Sequence, residues 1–280
     1  MKDYQKISEL VKADLDIIIK GLCAKLNLQE PIHNQVKDFL YAPAKHIRPL
    51  LAILYLKACK IELTENHYKL LTAIELVHNA SLIHDDVIDE AELRRSRKTL
   101  NTTFTPKIAV VAGDYLLACA VDYIKELKNL EVLDIFIKTL ANMCKGEFTQ
   151  YFSLNKIPDM DEYLYKTEQK TAKLFVAALE GCAILSKGIN RDYAIEFAKN
   201  FGMAFQIKDD LSNIVTSNTD VQNGIYTAPI ILSGSVDNPA IEKTYTLLNN
   251  YIELARVNLK PIEDNIYKQA LLELTEIYKK

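Results

Sequence analysis

The sequence predicts an all-α protein, and three observations favour this fold class. Of the 280 residues only eight are Gly and eight are Pro, whereas sandwiches, barrels and propellers need many turns, which use both residue types. Apolar residues recur at spacings of three and four along most of the chain. No stretch alternates apolar and polar residues for long, so strands are not expected. No shift in composition marks a boundary, and we expect a single domain over residues 1–280, built from long helices.

The first predicted helix covers residues 4–28, in which Ile7, Leu10 and Val11 begin a helical spacing that Pro31 interrupts. Eight later segments show the same periodicity, namely 50–60, 66–90, 108–125, 130–152, 161–187, 190–214, 239–258 and 261–279. The segment 108–125 is apolar nearly all round, which predicts a buried helix. The predicted loops, of which the last is the longest, cover 41–49, 94–107, 153–160 and 216–238.

Charge and cysteine content limit the classes of partner that we expect. With 34 basic and 37 acidic side chains the net charge is −3, so a nucleic-acid partner is not expected. The five cysteines contain no CxxC pair, so neither a disulfide framework nor a zinc site is predicted. No uncharged apolar run reaches the ~18 residues that span a membrane, and the amino terminus has no signal-peptide core. We therefore expect a cytoplasmic protein without a transmembrane segment.

Three aspartates end the predicted helix 66–90. Asp85 and Asp89 are four residues apart, so they share one helical face, and Asp86 lies beside them. Crowded carboxylates raise each other's pKa unless a cation intervenes. Mg2+ favours a few carboxylates together with substrate phosphates. Taken alone, such a cluster is more often a solvated helix end, and the alternative interpretation is a metal site.

A second acidic cluster ends the predicted helix 190–214. Asp209, Asp210 and Asn213 fall on one helical face, and Gln206 lies one turn earlier. Asn213 supplies only an uncharged oxygen ligand. Two such clusters after apolar helices favour metal binding over two solvated helix ends, and they could face each other across one bundle.

Basic residues occur at positions suited to phosphate binding. Two arginines begin five residues after Asp89, and the loop PAKHIRP carries a lysine and an arginine. Arginine binds phosphate in a bidentate manner. A histidine lies two turns before Asp85, nearly on the same face. The residues with this predicted role are Lys45, Arg48, His78, Arg94 and Arg95. A stripe of three further lysines, Lys166, Lys170 and Lys173, is interpreted from spacing alone as a solvated face.

This constellation resembles the trans-prenyl diphosphate synthases of the polyprenyl synthetase family, from about residue 40 to about 235. The segment LVHNASLIHDDVIDEAELRRSRKT, residues 76–99, is similar to the first aspartate-rich motif with its arginine pair. Supporting similarities are PAKHIRP, AGDYLLA at 112–118, GEFTQ at 146–150, QKTAKLF at 169–175 and FGMAFQIKDD at 201–210. The resemblance implies an isoprenoid synthase-like helical bundle around a deep central cavity, usually in a homodimer.

The resemblance also implies an activity and its residues. The expected reaction is the Mg2+-dependent condensation of isopentenyl diphosphate with an allylic prenyl diphosphate, with three Mg2+ ions per active site and release of diphosphate. The implied metal ligands are Asp85, Asp89 and Asp209, supported by Asp86 and Asp210. Residues similar to the isopentenyl diphosphate site are Lys45, Arg48, His78 and Arg95, and further diphosphate contacts are expected from Arg94, Lys170 and Lys45. The expected catalytic residues are Lys170, Thr171 and Gln206, the last two with oxygens facing the developing cation.

The helix that precedes the first acidic cluster bears on product length. If the aspartates hold the diphosphate, the growing tail runs down this helix, where Ala80 and Ser81 lie about one turn away and Val77 and Ile74 lie further down. Small residues leave such a pocket open. We therefore expect trans-polyprenyl products of geranylgeranyl length or longer.

Four departures from the family pattern keep other functions open. His46, Ser96 and Asn213 replace the residues usual in the family, and the segment after Asn213 is short and lacks two expected lysines. A second hypothesis is therefore a poorly active or regulatory subunit of a heteromeric synthase. A third hypothesis, a terpene cyclase of the same architecture, is less favoured because a cyclase needs no second diphosphate site.

Overall fold

A computed structural model describes residues 2–94 and 97–279 of the chain. A short π-helical segment comprises Glu168–Ala172 and is continuous with the α-helices on either side of it. In the described residues the α-helices are α1 (Lys2–Glu9), α2 (Lys12–Ala24), α3 (Ile32–Leu40), α4 (Ile47–Ala58), α5 (Glu65–Ile88), α6 (Leu100–Thr103), α7 (Pro106–Glu126), α8 (Leu130–Phe152), α9 (Met160–Thr167), α10 (Lys173–Leu185), α11 (Arg191–Thr216), α12 (Thr219–Gln222), α13 (Ala228–Ile231), α14 (Ile241–Val257) and α15 (Ile266–Tyr278). The predicted all-α class is confirmed, and the deep central cavity stays a prediction.

The chain forms two compact units, and each is discontinuous in sequence. The larger unit comprises Met1–Leu10, Leu54–Ile61 and Asp134–Lys280, and the smaller unit comprises Val11–Ile53 and Glu62–Leu133. The first acidic cluster therefore belongs to the smaller unit and the second to the larger unit.

Helices α5 and α7 pack against each other in the smaller unit. The apolar stripe of α5, which includes Leu70, Ile74 and Val77, is fully buried, as its periodicity predicts. Gly113 of α7 permits a close approach, because a Cβ at this position would clash with the imidazole ring of His84 on α5.

Helix α11 packs against α10, α14 and the π-helical segment in the larger unit. Its buried face carries Phe197 and Phe201, whose ring centroids lie 6.1 Å apart. Phe201 also meets the ring of Tyr278 edge to face at 5.4 Å between centroids. These aromatic contacts secure α11, which positions the second acidic cluster.

The structure differs from the predicted elements in several places. The segment 4–28 is two helices, and the nine-residue helix α3 was not predicted because so short a segment shows little periodicity. The expectation of no strands is wrong for a small hairpin, in which β1 (Leu93–Arg94) pairs antiparallel with β2 (Arg97–Lys98). Two-residue strands are too short to show alternation. Short helices also occur within the predicted loops 94–107 and 216–238. No helix among the described residues is long and apolar enough to cross a membrane.

Candidate active site

The carboxyl end of α5 presents two carboxylates one helical turn apart. The backbone N–H of Asp89 donates to the carbonyl of Asp85 at 2.8 Å, so the predicted i,i+4 relation is present. Asp85 is half-buried and Asp89 is exposed. Two oxygen-rich side chains that reach solvent on one face are the kind of donors that Mg2+ prefers.

Asp86 faces the interior and has a different partner. Its carboxylate is buried, and Oδ1 accepts a hydrogen bond of 2.6 Å from Nε of Arg94 on β1. Burial raises the pKa of Asp86, although the charge and hydrogen bond of Arg94 oppose this shift. The carbonyl of Asp86 also accepts from Nδ2 of Asn101 at 3.2 Å. Asp86 therefore links β1 to α5 through its hydrogen bond with Arg94. Arg95 lies outside the described residues.

A buried glutamate gathers basic residues around α5. Glu75 is 2% exposed, and its Oε1 lies 2.8 Å from Nδ1 of His46 in the loop before α4. Burial raises the pKa of Glu75, but the hydrogen bond to His46 and the nearby charges of His78 and Arg48 outweigh it, so the pKa is lowered. Arg48 is buried, His78 is half-buried and Lys45 is exposed on the same loop as His46.

Two predicted phosphate ligands, Arg48 and His78, thus lie close to one carboxylate in the smaller unit. Sequence reasoning missed Glu75 itself. The available signal was a single acidic residue within the apolar stretch of α5, three residues before His78.

The residues expected to set product length lie along α5. Ile74, Val77 and Ala80 are fully buried. Ser81 is half-buried, and its Oγ donates to the carbonyl of His78 at 2.9 Å. Among these four residues only Ser81 has appreciable exposure. Their role in chain length stays a prediction.

In the larger unit, two glycines make room for the π-helical segment that carries Lys170 and Thr171. A Cβ on Gly146 of α8 would lie 2.7 Å from the backbone nitrogen of Lys170, and a Cβ on Gly202 of α11 would lie 2.8 Å from Cα of Ala172. Both neighbouring helices therefore approach this segment at backbone distance. Nζ of Lys170 forms an ion pair with Glu147 of α8.

A hydrogen-bonded chain connects three of the predicted residues in the larger unit. Oγ1 of Thr171 donates to Oε1 of Gln206 at 2.8 Å, and Nε2 of Gln206 donates to Oδ1 of Asp210 at 2.9 Å. The second oxygen, Oδ2 of Asp210, accepts from the hydroxyl of Tyr163 at 2.6 Å. Asp210 and Tyr163 are both buried, and this burial raises the pKa of Tyr163 well above its ordinary value. Sequence reasoning missed Tyr163, which lies 47 residues from Asp210.

The other members of the second cluster have different surroundings. Asp209 is exposed. Asn213 holds the turn that follows α11, because its Nδ2 donates to Oγ1 of Thr219 at 2.9 Å and its Oδ1 accepts from the N–H of Asp220 at 3.2 Å. The amide thus has a local structural role.

The interpretation of the lysine stripe as solvated is wrong for Lys166. This residue is only 9% exposed, and its Nζ lies 5.2 Å from the ring centroid of Tyr163. Burial lowers the pKa of Lys166, while the charge of Asp210 opposes this shift. Spacing within one helix does not reveal this burial, because it depends on the partners that surround α9.

In the part of the chain that the structure describes, no three His, Cys, Asp or Glu side chains converge as a metal cluster. Mg2+ is commonly held by one or two carboxylates plus substrate phosphates and water. The carboxylates of Asp85 and Asp89 fit such a shared site.

Comparison with known proteins agrees with the sequence resemblance. Residues 29–258 match the family described as polyprenyl synthetase. The prenyl transferase of Cyanidium caldarium is 30% identical, over 98% of this chain and 97% of that protein. Solanesyl diphosphate synthase 1, chloroplastic, of Arabidopsis thaliana is 35% identical, over 80% of this chain and 60% of that protein. The crystal structure of a decaprenyl diphosphate synthase from Rhodobacter capsulatus has a similar fold, with a TM-score of 0.91 over 98% of both chains at 23% identity. Because the family match covers most of the sequence, the chain belongs to the polyprenyl synthetase family.

Proposed function

We propose that this protein is a Mg2+-dependent prenyltransferase that condenses isopentenyl diphosphate with an allylic prenyl diphosphate. The product is a trans-polyprenyl diphosphate of geranylgeranyl length or longer, and diphosphate is released. The observation that carries the proposal lies on α5. This helix bears the carboxylates of Asp85 and Asp89 at its end and, two turns earlier, His78 beside the buried Glu75 and Arg48. Helix α5 thus carries donors for a metal-bound diphosphate and one basic residue, His78, which lies with Arg48 of α4 where a second diphosphate can bind.

Asp85, Asp89 and Asp209 are the proposed Mg2+ ligands, and three ions per active site are proposed from the family resemblance. Each of these aspartates reaches solvent, and carboxylate oxygens suit a hard cation. The chemistry that bound Mg2+ supplies is neutralisation of the diphosphate as a leaving group. Asp86 and Asp210 support this arrangement from buried positions through their hydrogen bonds.

The basic residues are assigned to the two diphosphates. Lys45, Arg48, His78 and Arg95 bind isopentenyl diphosphate, since charge-assisted hydrogen bonds to phosphate are strong. Arg94, Lys170 and Lys45 contact diphosphate as well. For Lys170 this means exchanging its partner Glu147 for phosphate oxygens.

Two oxygens in the larger unit stabilise the allylic cation that forms when the diphosphate leaves. The Thr171 hydroxyl donates its hydrogen to Gln206, so the lone pairs of the Thr171 oxygen point away from that bond. Fixed dipoles directed at developing charge are an effective means of stabilising a transition state. The alkene of isopentenyl diphosphate attacks the cation, and the proton that is then lost passes to the departing diphosphate.

The functional assembly is proposed to be a cytoplasmic homodimer. Helix α7 leaves Ile108, Val111 and Val121 exposed, and α8 leaves Phe148 and Phe152 exposed. Exposed apolar side chains in groups commonly mark protein interfaces. Light scattering of the purified protein tests the dimer, and a mass of one chain would contradict it. Because the Arabidopsis relative is named as chloroplastic, the compartment is to be tested by imaging a tagged chain.

A regulatory subunit of a heteromeric synthase is the second candidate function. It is favoured by Asn213, because the side-chain amide of this residue is hydrogen-bonded to Thr219 and Asp220. Within the second acidic cluster Asp210 is buried, which leaves Asp209 as the exposed carboxylate that can reach a metal ion.

Incorporation of radiolabelled isopentenyl diphosphate distinguishes these functions. The purified chain is incubated with Mg2+ and geranyl, farnesyl or geranylgeranyl diphosphate, and EDTA-treated samples serve as controls. We expect Mg2+-dependent elongation by the chain alone. Incorporation only after a second synthase chain is added would favour the regulatory subunit, and release of hydrocarbon without isopentenyl diphosphate would favour a cyclase.

A further inference from the structure

We propose that Tyr163 is a positioning residue, which acts through Asp210 and Gln206 to set the direction of the Thr171 hydroxyl. The inference rests on the proposed function, in which the Thr171 oxygen faces the developing cation. Tyr163 lies on α9, Thr171 on the π-helical segment, and Gln206 and Asp210 on α11. The chain of hydrogen bonds therefore joins three elements of the larger unit.

The donor and acceptor roles in this chain follow from chemistry. A carboxylate only accepts hydrogen bonds, so the amide nitrogen of Gln206 must face Oδ1 of Asp210, 2.9 Å away. The amide oxygen of Gln206 is consequently directed at Thr171, 2.8 Å away. A hydroxyl has a single hydrogen. Because the Thr171 hydrogen is committed to Gln206, its oxygen can present only lone pairs elsewhere.

Tyr163 lies at the end of the hydrogen-bonded chain opposite Thr171. Its hydroxyl is the donor to Oδ2 of Asp210, at 2.6 Å, while Oδ1 serves Gln206. Tyr163 is 1% exposed and Asp210 is 3% exposed, so water has little access to replace this donor. With the hydroxyl removed, the Asp210 carboxylate is free to rotate toward other donors. The amide of Gln206 then loses the acceptor that distinguishes its nitrogen from its oxygen, and the Thr171 hydroxyl loses its fixed direction.

Two tyrosines of α9 provide a matched pair of variants for the test. Tyr163→Phe removes only the buried hydroxyl, and Tyr165→Phe removes a hydroxyl on the same helix from a side chain that is 48% exposed. Steady-state incorporation of labelled isopentenyl diphosphate gives kcat and KM for both substrates. We expect Tyr163→Phe to lower kcat about tenfold or more with KM values within twofold of wild type. Tyr165→Phe is expected to match wild type.

A double-mutant cycle separates positioning from a general structural effect. Thr171→Val removes the hydroxyl through which Tyr163 is proposed to act. Residues that act through one another give non-additive effects, so Tyr163→Phe should cause no further loss of kcat in the Thr171→Val background. Equal fold losses in the two backgrounds would overturn the proposal, as would a change confined to KM.

Thermal stability and wild-type activity distinguish the remaining explanations. If Tyr163→Phe lowers Tm strongly, the cycle is repeated at 15 °C, and a kcat deficit that disappears on cooling would overturn the positioning role. A wild-type chain that incorporates no isopentenyl diphosphate would overturn the proposed function. An active wild type with an additive cycle would overturn only the inference about Tyr163.

Discussion

Gly202 of α11 lies so close to Ala172 that a Cβ on the glycine would be 2.8 Å from Cα of that alanine. The contact joins α11, which carries Gln206 and Asp210, to the π-helical segment that carries Thr171. Segments of π-helix often occur at functional sites. The close approach therefore sets the separation between residues that the proposed mechanism uses together.

Replacing Gly202 by alanine should force these two elements apart. Overpacking of this kind typically costs about 1–3 kcal/mol, and we expect a matching loss of unfolding free energy in urea together with a lower kcat. Ser212→Ala, at an exposed position on the same helix, is the control and should change stability by less than about 0.5 kcal/mol. A Gly202→Ala variant as stable and active as wild type would contradict the proposed role of the contact.

Asp85→Ala should remove a proposed Mg2+ ligand. Metal ions contribute several kcal/mol of charge stabilisation in such reactions, so we expect incorporation to fall by roughly 100-fold or more and the Mg2+ concentration for half-maximal activity to rise. Glu90→Ala, at the exposed position next to Asp89, is the matched control. Unchanged turnover in Asp85→Ala would show that the metal assignment is wrong.

Ser81→Phe should shorten the products. Ser81 is the half-buried member of the proposed chain-length set on α5, and an aromatic ring one turn from Asp85 would block a tail that extends along this helix. Chromatography of the dephosphorylated products measures their length. Ser81→Ala keeps a small side chain at this position, and as the control it should give products of wild-type length. Identical product lengths in the Phe variant and wild type would refute the proposed tail path.

Glu75→Gln should change both stability and its pH dependence. The pKa of Glu75 is lowered in the folded protein, whereas in the unfolded chain it is about 4.3. At a pH between these two pKa values the unfolded state binds more protons than the folded state. The stabilisation is therefore complete above about pH 4.3 and is lost as the pH falls through the folded pKa.

Urea unfolding between pH 3 and 7 tests whether the stabilisation by Glu75 is lost as the pH falls. We expect Glu75→Gln to be less stable than wild type by about 1–3 kcal/mol at pH 7, the usual cost of disrupting a buried hydrogen-bonded group, and the difference to shrink at the acid end. KM for isopentenyl diphosphate should also rise, because Glu75 orders the basic residues around it. Glu62→Gln, at an exposed position, should leave both quantities unchanged. A stability difference between Glu75→Gln and wild type that stays constant across the pH range would contradict the lowered pKa of Glu75.

Lys166→Met should stabilise the protein near neutral pH. Burial lowers the pKa of Lys166, which means that the folded state disfavours its charge relative to the unfolded state. In the unfolded chain the pKa of this lysine is about 10.4. At a pH between the folded and unfolded pKa values the unfolded chain binds more protons, so wild-type stability rises with pH in this range. We expect a Tm gain of about 2–4 °C at pH 7, equivalent to about 1 kcal/mol, which declines toward pH 10. Lys145→Met, at an exposed position of α8, should give no such trend.

The sequence predicts well whatever depends on local spacing. The helical periodicity of 66–90 and 190–214 corresponds to α5 and α11, and the i,i+4 relation of Asp85 and Asp89 appears as predicted. Helix α3 and the two-residue strands are missed because they are too short to carry a period. Glu75 was missed because an acidic residue in an apolar helix reveals neither its burial nor its partners.

By itself, the sequence determined the all-α class, the acidic ends of two helices and the family to which the chain belongs. These features rest on residue types at fixed short intervals, which a single helix preserves. Only the tertiary structure decided that Asp86 pairs with Arg94, that Tyr163 and Gln206 share the two oxygens of Asp210, and that Lys166 is buried. Burial and hydrogen-bond partners of this kind depend on which helices pack together, and helical spacing within one segment does not encode that packing.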